Sequence, residues 1–443
     1  MGNRQEVIKV FQSHFIPVRY QDVAGNNHTL HEAVSTWTFL FLSTKIAMTF
    51  PADSEFAEVR QRLHTYLHEE LIPFEKEKGI GYEDQLPKEV VRGLWKRSYE
   101  LKLYGMQLPR ELGGRGMSVS ELCMLKDDVA ASGAILFPHV LGDWGGPSRI
   151  GNLVRYATPY QIENYILPCI RGEKGACFAM TEAASGSDAA SIKTRAVRDG
   201  DDYVITGRKH YITASAFADF AIVMCVTDPD KGAEGISAIL VDLDRPGVTL
   251  SYDYLPMTGQ HVDADIDMQE VRVPAANLIG KEGNGFRIAM DRVNVNRLLH
   301  CPTMIGLARQ VYRLAVAYAH HRQQFGGPIS RFQAIQHMLA DMATALYACE
   351  SMVMATARLA DDGRDIRKEA SMCKVFVSER CFDIADKAMQ IHGNVGVTKN
   401  HPVEFIFRRL RLYRIVTGTS EIQRNTIAKE ILKPDMTPPA SAM

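Results

Sequence analysis

The chain has 443 residues, of which 46% are hydrophobic and 23% are charged, a composition typical of a globular protein with two or three domains. Its 51 basic and 52 acidic residues leave a formal charge of −1, which argues against binding to nucleic acid or to an anionic membrane surface. The eight cysteines include no Cys-x-x-Cys pair. We therefore predict neither a disulfide framework nor a metal site, and we expect a reducing compartment.

Residues 1–49 are interpreted as an N-terminal extension. They contain the apolar run Trp37–Leu42, which is too short to span a bilayer and lies too far from the N-terminus to act as a secretory signal. Met48 begins a segment that resembles the natural start of a helical domain, so residues 1–47 are best explained by a misassigned start. A targeting peptide is the alternative, although the acidic residues of the segment are atypical of one.

Residues 50–170 are predicted to form a helical domain. Six apolar residues near its start recur at the spacing of one helix face. They are Phe56, Val59, Leu63, Tyr66, Leu67 and Leu71. Pro73 follows shortly after that run. The glycine-rich segment Pro109–Gly116 has no strand before it, so we predict a loop between helices and not a dinucleotide-binding turn.

Residues 171–285 change to the period of β-strands. Tyr203–Thr213 is predicted to form a strand, a turn and a second strand, and Ala221–Val226 and Ile236–Val241 are candidate buried strands. Several prolines and glycines separate these runs. The segment is therefore predicted to be a small antiparallel β-domain.

Residues 286–443 return to a helical pattern. Long runs near 286–322, 331–362 and 366–392 contain few helix breakers, and a last helix is expected after Thr419. Four antiparallel helices with short connections predict a bundle. The basic cluster Arg408–Arg411 is interpreted as a solvated helix face, with contact to an anionic ligand as the alternative.

Two segments together resemble the acyl-CoA dehydrogenase family of flavoproteins. They are Phe178–Asp188, with the sequence FAMTEAASGSD, and Ile415–Arg424, with the sequence IVTGTSEIQR. The resemblance extends over about residues 50–433. It implies an α+β, mostly α fold with an N-terminal helical domain, a middle β-domain and a C-terminal four-helix bundle. It also implies FAD, an acyl-CoA substrate, and a location in the cytoplasm, or in the mitochondrial matrix of a eukaryote.

The resemblance assigns FAD-binding roles to fifteen residues in five segments. They are Phe178, Thr181, Gly186, Ser187, Tyr211, Ile212, Thr213, Arg322, Gln324, Gln333, Gln390, Gly393, Asn394, Thr419 and Glu421. An arginine suits a pyrophosphate because its rigid fork donates two hydrogen bonds. In the family this nucleotide site is shared between subunits, which implies a homo-oligomer, a dimer or a tetramer. The expected electron acceptor is an electron-transfer flavoprotein or a similar protein.

The residue expected at the catalytic position is Thr417. Most family members have a glutamate directly before the Gly-Thr pair, and that glutamate removes the α-proton of the substrate. Some relatives carry the glutamate on a helix of the bundle, at the position of Asn296 here. Neither threonine nor an amide is an ionisable base near neutral pH. The resemblance further implies that Ser187, Arg297 and Gly418 lie along the acyl-CoA.

Four hypotheses follow from the missing glutamate. The protein is an acyl-CoA oxidoreductase, in either direction and so including an enoyl-CoA reductase, with its base elsewhere; Asp291 is the nearest helical candidate. It is a base-lacking subunit of a hetero-oligomer whose partner supplies the base. It performs other thioester or flavin chemistry, such as desulfination or oxygen-dependent oxidation. Finally, it is a binding protein in which FAD is structural. The fold alone does not decide among these hypotheses.

Overall fold

The computed structural model describes residues 19–21, 27–29 and 54–433. The first two ranges are the strands β1 (Arg19–Gln21) and β2 (Asn27–Thr29), which pair antiparallel. The apolar run Trp37–Leu42 and the start at Met48 lie outside the described residues. No helix within 54–433 combines the length and apolarity needed to cross a bilayer.

The N-terminal layer is helical. Its helices are α1 (Glu55–Thr65), α2 (Ile72–Lys78), α3 (Lys88–Glu100), α4 (Val119–Ala131), α5 (Phe137–Val140), α6 (Pro159–Gln161) and α7 (Leu167–Ile170). The six apolar residues predicted to share a helix face are all buried. A π-helical segment, Tyr66–Leu71, joins α1 to α2. The helix therefore continues past Pro73, which lies in the first turn of α2, where its missing N–H is tolerated.

The middle layer is a seven-stranded sheet. Its strands are β3 (Ala176–Ala179), β4 (Arg195–Asp199), β5 (Asp202–Thr213), β6 (Phe220–Val226), β7 (Ile236–Asp242), β8 (Val248–Ser251) and β9 (Asp263–Pro274). The order is β3-β6-β4-β5-β9-β8, and β7 pairs with β6. Most pairs are antiparallel, but β6 runs parallel to β3 and to β4. The antiparallel β-domain expected from the sequence is therefore confirmed in most of its strand pairs, and β6 adds two parallel pairings.

Strand β5 is continuous, so the strand–turn–strand prediction for Tyr203–Thr213 is wrong. Two register shifts against β9, one at Gly207 and one before Ile212, absorb the irregularity. At Gly207 the chain passes so close to Thr194 that a Cβ atom would lie 2.4 Å from its Oγ1 atom. A glycine inside a strand here indicates a bulge and a close approach, not a turn.

The C-terminal layer is the predicted helical bundle. It contains α8 (Gly285–His321), α9 (Gln333–Asp361), α10 (Arg367–His392), α11 (Pro402–Leu412) and α12 (Ser420–Ile431), with the short strands β10 (Gln323–Gln324) and β11 (Gly327–Pro328) after α8. The sequence-based prediction did not name α11. Apolar side chains of the bundle and of the N-terminal helices form one continuous core. Arg309 of α8 links two other helices through ion pairs with Asp127 of α4 and Glu350 of α9.

Candidate active site

Thr417 and His300 form a hydrogen-bonded pair. The Oγ1 atom of Thr417 lies 3.0 Å from the Nε2 atom of His300, which is contributed by α8. Burial and the nearby ammonium of Lys126 lower the pKa of His300 to about 3, although the carboxylate of Asp143 opposes the shift. The imidazole is therefore neutral near pH 7, and one of its nitrogens is a hydrogen-bond acceptor.

The backbone of the turn that carries Thr417 is fixed from two sides. Thr417 has φ +58° and Gly418 has φ +90°; a β-branched residue rarely adopts the left-handed region. The ammonium of Lys374 donates to the Gly418 carbonyl at 2.9 Å, and the Gln423 side chain donates to the carbonyls of both residues at 3.0 and 3.1 Å. Strained residues of this kind persist where the surroundings over-determine them, often at functional sites.

The helix α8 presents different residues to the site and to the surface. Asn296 lies one turn before His300, so the two residues share a face of the helix. Asp291 is exposed and accepts a hydrogen bond from the Tyr156 hydroxyl at 2.9 Å. Nine residues separate Asp291 from His300, which places them on opposite faces of α8. The structure does not bring Asp291 to Thr417.

Arg297 is buried beside the same turn. Its Nη1 atom donates to Asn294 Oδ1 at 3.0 Å, and its Nε atom is buried with no hydrogen-bond partner. Burial and repulsion from Arg367 lower the pKa of Arg297. An unsatisfied donor on a buried cation leaves a polar group available to a ligand.

The β-domain brings the first flavin segment to strand β5. The Thr181 carbonyl accepts from the backbone N–H of His210 at 2.8 Å, so the chain after Phe178 lies beside Tyr211. The Tyr211 ring is 62% exposed, and its backbone has φ +57°. Ile212 packs inward and is 2% exposed. The aromatic ring therefore stands on the open face of the sheet.

Thr213 faces Asp263 across the β5–β9 pair. Burial raises the pKa of Asp263, while a hydrogen bond from the Thr213 side chain acts in the opposite direction. The two residues are direct neighbours in the register of the sheet. The hydroxyl of Thr213 is thus oriented by a carboxyl group.

The loop with Gly186 and Ser187 is held at its base and open at its tip. Glu182 accepts hydrogen bonds from the backbone and side chain of Thr194 at 2.9 and 2.6 Å, and from the fully buried ammonium of Lys209 at 2.8 Å. A Cβ atom at Gly186 would meet no atom within 4 Å, and Ser187 is exposed. The loop therefore leaves open space for a ligand.

The remaining flavin candidates lie in two places. Six of them are exposed on the bundle surface: Arg322, Gln324, Gln333, Gln390, Gly393 and Asn394. Thr419 is instead the N-cap of α12, where its side chain accepts from the Ile422 N–H at 3.3 Å, and Glu421 lies in the first turn of that helix. Within residues 54–433 no hydrogen bond or ion pair joins these six surface residues to the Thr417 turn.

The wall of the site opposite the sheet is strongly charged. Lys126 forms an ion pair with Asp143. Burial alone would raise the pKa of Asp143, but the Lys126 ammonium outweighs it and the pKa lies below its usual range. The Tyr413 ring lies 5.8 Å from the His300 ring, centroid to centroid, and the charge of Arg149 acts on both residues. An ordinary hydrocarbon pocket would not contain these groups.

The residues present fit a flavin nucleotide. An exposed aromatic ring at Tyr211, an open glycine at Gly186 and a hydroxyl at Thr213 line the sheet side. On the bundle side, the Oγ atom of Ser420 at the start of α12 is buried with no partner, at a helix end that favours negative charge. Planar rings and phosphates are bound by groups of these types.

His300 was not identified from the sequence. The signal was present, because His300 follows Asn296 by four residues and therefore shares its helix face. The pairing with Thr417 joins residues 117 positions apart. A pattern of helical spacing on one element does not reveal which loop packs against it.

Comparisons with known proteins identify the family of the chain. Models of the N-terminal, middle and C-terminal domains of acyl-CoA dehydrogenases match residues 53–173, 177–270 and 283–432. The chain is 38% identical to a subunit of the caffeyl-CoA reductase–Etf complex of Acetobacterium woodii, over 79% of this chain and 91% of that protein. It is 36% identical to the acryloyl-CoA reductase (NADH) of Anaerotignum propionicum, over 76% and 86%.

A solved structure gives the same result for the fold. Butyryl-CoA dehydrogenase from Megasphaera elsdenii superposes with a TM-score of 0.78 at 27% identity, covering 87% of this chain and all of that one. The three domain matches leave few residues of 53–432 unassigned. The chain belongs to the acyl-CoA dehydrogenase family, and it is an FAD-dependent oxidoreductase of the α,β-bond of acyl-CoA thioesters.

Proposed function

We propose that the Thr417–His300 pair handles the α-proton in the reaction of this protein, in place of the family's glutamate. The observation that carries the proposal is the 3.0 Å contact between Thr417 Oγ1 and His300 Nε2. The resemblance to the family implies that Thr417 is at the position of the base. Its hydroxyl alone is a poor base, but a neutral imidazole within hydrogen-bond distance can accept the proton of that hydroxyl.

The proposed proton transfer runs between the substrate, Thr417 and His300, and each proton that leaves one group is accepted by the next. In the oxidation, the bond between the α-carbon and its proton breaks and the proton passes to Thr417 Oγ1, while the hydroxyl proton of Thr417 passes to His300 Nε2. Bound FAD would supply the acceptor for the hydride of the β-carbon. In the reduction of an enoyl thioester, the same two groups return the proton to the α-carbon. His300 carries the positive charge after the oxidation and before the reduction, near the carboxylate of Asp143.

The residues that complete the flavin site are proposed to come from two subunits. Arg322 and Gln324 are exposed just beyond the end of α8, as a homo-dimer or tetramer with a shared nucleotide site would require. Arg297, Ser187 and Gly418 are proposed to lie along the acyl-CoA. The buried, unsatisfied Nε atom of Arg297 supports its part in this assignment.

Reduction of an enoyl-CoA thioester is the second candidate. Two of the relatives are named as reductases, and one of these belongs to a complex with Etf. An electron-transfer flavoprotein is therefore the proposed electron-transfer partner. This candidate uses the same proton-transfer pair in the opposite direction.

Anaerobic titration of the FAD-loaded protein tests the proposal. The visible flavin band of the wild type should bleach with a saturated acyl-CoA, or the chemically reduced flavin should reoxidise with an enoyl-CoA. His300→Leu should slow either half-reaction by about 10²-fold or more, with a much smaller change in thioester affinity. His320→Leu, at an exposed position at the far end of α8, is the matched control.

The other hypotheses give different results in the same experiment. Thioester binding without a flavin change, relieved by a second protein, would indicate a base-lacking subunit of a hetero-oligomer. Release of sulfite from a sulfinated thioester would indicate desulfination. An unchanged rate in His300→Leu would contradict the proton-transfer role of His300 directly.

A further inference from the structure

Three arginines at the site have no carboxylate partner within the described residues. Arg149 uses its Nε atom to donate to the Asp143 carbonyl at 2.8 Å, and Arg292 donates from Nε to the Arg149 carbonyl at 3.2 Å. Arg409 stacks 4.7 Å from the ring centroids of both Phe137 and Trp144. None of the three guanidinium groups forms an ion pair there. We refer to Arg149, Arg292 and Arg409 as the arginine cluster.

The cluster is largely enclosed by protein. Arg292 and Arg409 are 9% and 6% exposed. Burial and repulsion from Arg149 lower the pKa of Arg292 to about 9, and burial lowers the pKa of Arg149 and of Arg409. Buried cations are normally paired with an anion. The arginine cluster differs, because no ion pair to it is present within the described residues.

Arg409 corrects the interpretation of the basic segment Arg408–Arg411 as a solvated helix face. Arg408 pairs with Glu404 and Glu83 at the surface, but Arg409 points into the site from α11. A hydrogen bond with Tyr413 and the charges of Asp143 and Asp263 act on its guanidinium. The alternative predicted from the sequence, contact with an anionic ligand, is the one that its position supports.

The cluster lies beside the proton-transfer pair. The charge of Arg149 acts on His300 and Tyr413, and Arg409 acts on Tyr413. Arg292 stacks 4.5 Å from the ring centroid of Phe178, in the flavin segment. The arginine cluster therefore lies between the Thr417–His300 pair and the segment that begins at Phe178.

The acidic groups nearby do not neutralise the cluster. Asp143 is already paired with Lys126. Asp263 is hydrogen-bonded to Thr213, and it acts on Arg149 and Arg409 without forming an ion pair with either. With Lys126 included, four cations face two carboxyl groups. An added negative charge would complete the site.

We propose that the arginine cluster binds an anionic group, a carboxylate or a sulfinate, at the end of the acyl chain, so that the substrates are thioesters of acids with a second acidic group. A planar guanidinium donates two parallel hydrogen bonds to such an oxyanion. A methyl-terminated chain would instead leave the cluster buried and unpaired. This inference rests on the proposed function, because it requires the acyl chain to lie at Thr417.

Binding of matched thioesters to the FAD-loaded protein tests the inference. Glutaryl-CoA and valeryl-CoA have acyl chains of the same carbon number and differ in the terminal carboxylate. Affinities are measured anaerobically by perturbation of the flavin spectrum and by calorimetry. The wild type should bind glutaryl-CoA at least tenfold more tightly. Equal or tighter binding of valeryl-CoA would overturn the inference while leaving the proposed function intact.

Variants assign the preference to the cluster. Arg149→Met should reduce the ratio of the two affinities by about tenfold or more, since a charge-assisted pair is lost. Arg149→Lys, which keeps the charge and is less prone to misfolding, should give an intermediate ratio. Arg272→Met, at an exposed strand position, should leave the ratio unchanged. Retention of the full wild-type preference in Arg149→Met would contradict the inference.

Two further measurements test whether the arginine cluster serves the flavin instead, and which anion it binds. If Arg149→Met changes the flavin reduction potential but not the affinity ratio, the cluster serves the flavin and the inference fails. A 3-sulfinopropionyl thioester distinguishes the two anions when compared with succinyl-CoA, which has the same number of CH2 groups: tighter binding than succinyl-CoA identifies a sulfinate, and weaker binding identifies a carboxylate. Failure of every thioester to bind would defeat the proposed function as well.

Discussion

The indole N–H of Trp95 donates to Nδ1 of His139 across 3.2 Å, in a contact buried from solvent. Because Nδ1 accepts this bond, His139 must be neutral, since a protonated imidazole has no acceptor nitrogen. Burial lowers its pKa to about 3. The hydrogen bond that connects α3 to α5 therefore requires an uncharged histidine.

Acidification is expected to destabilise the protein through this histidine. The folded pKa lies below the usual 6.5, so the unfolded state binds more protons between pH 6.5 and 3. The contribution of His139 is complete above pH 6.5 and is lost as the pH falls, at up to about 1.4 kcal/mol per pH unit. His139→Gln should therefore lose less thermal stability than the wild type between pH 7 and pH 5. Equal losses would contradict the assignment.

Gly306 and Gly93 are expected to respond oppositely to alanine. A Cβ atom at Gly306 would lie 2.5 Å from the Asp127 carbonyl oxygen, where α8 meets α4, whereas one at Gly93 of α3 would meet nothing within 4 Å. Gly306→Ala should destabilise by about 1–3 kcal/mol through overpacking. Gly93→Ala should stabilise by up to about 1 kcal/mol through helix propensity. Denaturant unfolding of both variants measures the difference, and equal effects would count against the close packing.

Thr417→Glu should restore a carboxylate to the position of the missing base. If the acyl chain lies at this residue, flavin bleaching by a saturated acyl-CoA should accelerate by about 10²–10⁴-fold where the wild type is slow. Thr417→Gln, similar in size but not a base, is the control and should show no gain. Rapid bleaching by the wild type without a gain in Thr417→Glu would mean that another base already operates.

Arg322→Ala should weaken FAD retention. Arg322 is exposed just after the end of α8, and its loss would remove a bidentate partner from a pyrophosphate. The flavin-to-protein ratio after gel filtration measures retention, with Arg358→Ala on the surface of α9 as the control. Full occupancy in Arg322→Ala would remove this arginine from the flavin site.

The domain order and most helices were predictable from the sequence because they follow local periodicity. The apolar face from Phe56 to Leu71 is buried as predicted. The predictions that were wrong concern residues whose partners are distant in the sequence. Gly207 lies in a strand and not a turn because Thr194 approaches it closely. Arg409 is buried because it packs on aromatic rings of another domain. For the same reason His300 was visible only after α8 had been placed against the Thr417 turn.

The backbone of the turn at Thr417 and Gly418 is held through its carbonyl oxygens by Lys374 and Gln423. The side chain of Thr417 makes a separate hydrogen bond, to His300, and takes no part in these three. A different residue can therefore be installed there without dismantling the turn. The hydrogen bonds that hold the backbone of this turn are thus independent of the chemical group displayed at position 417.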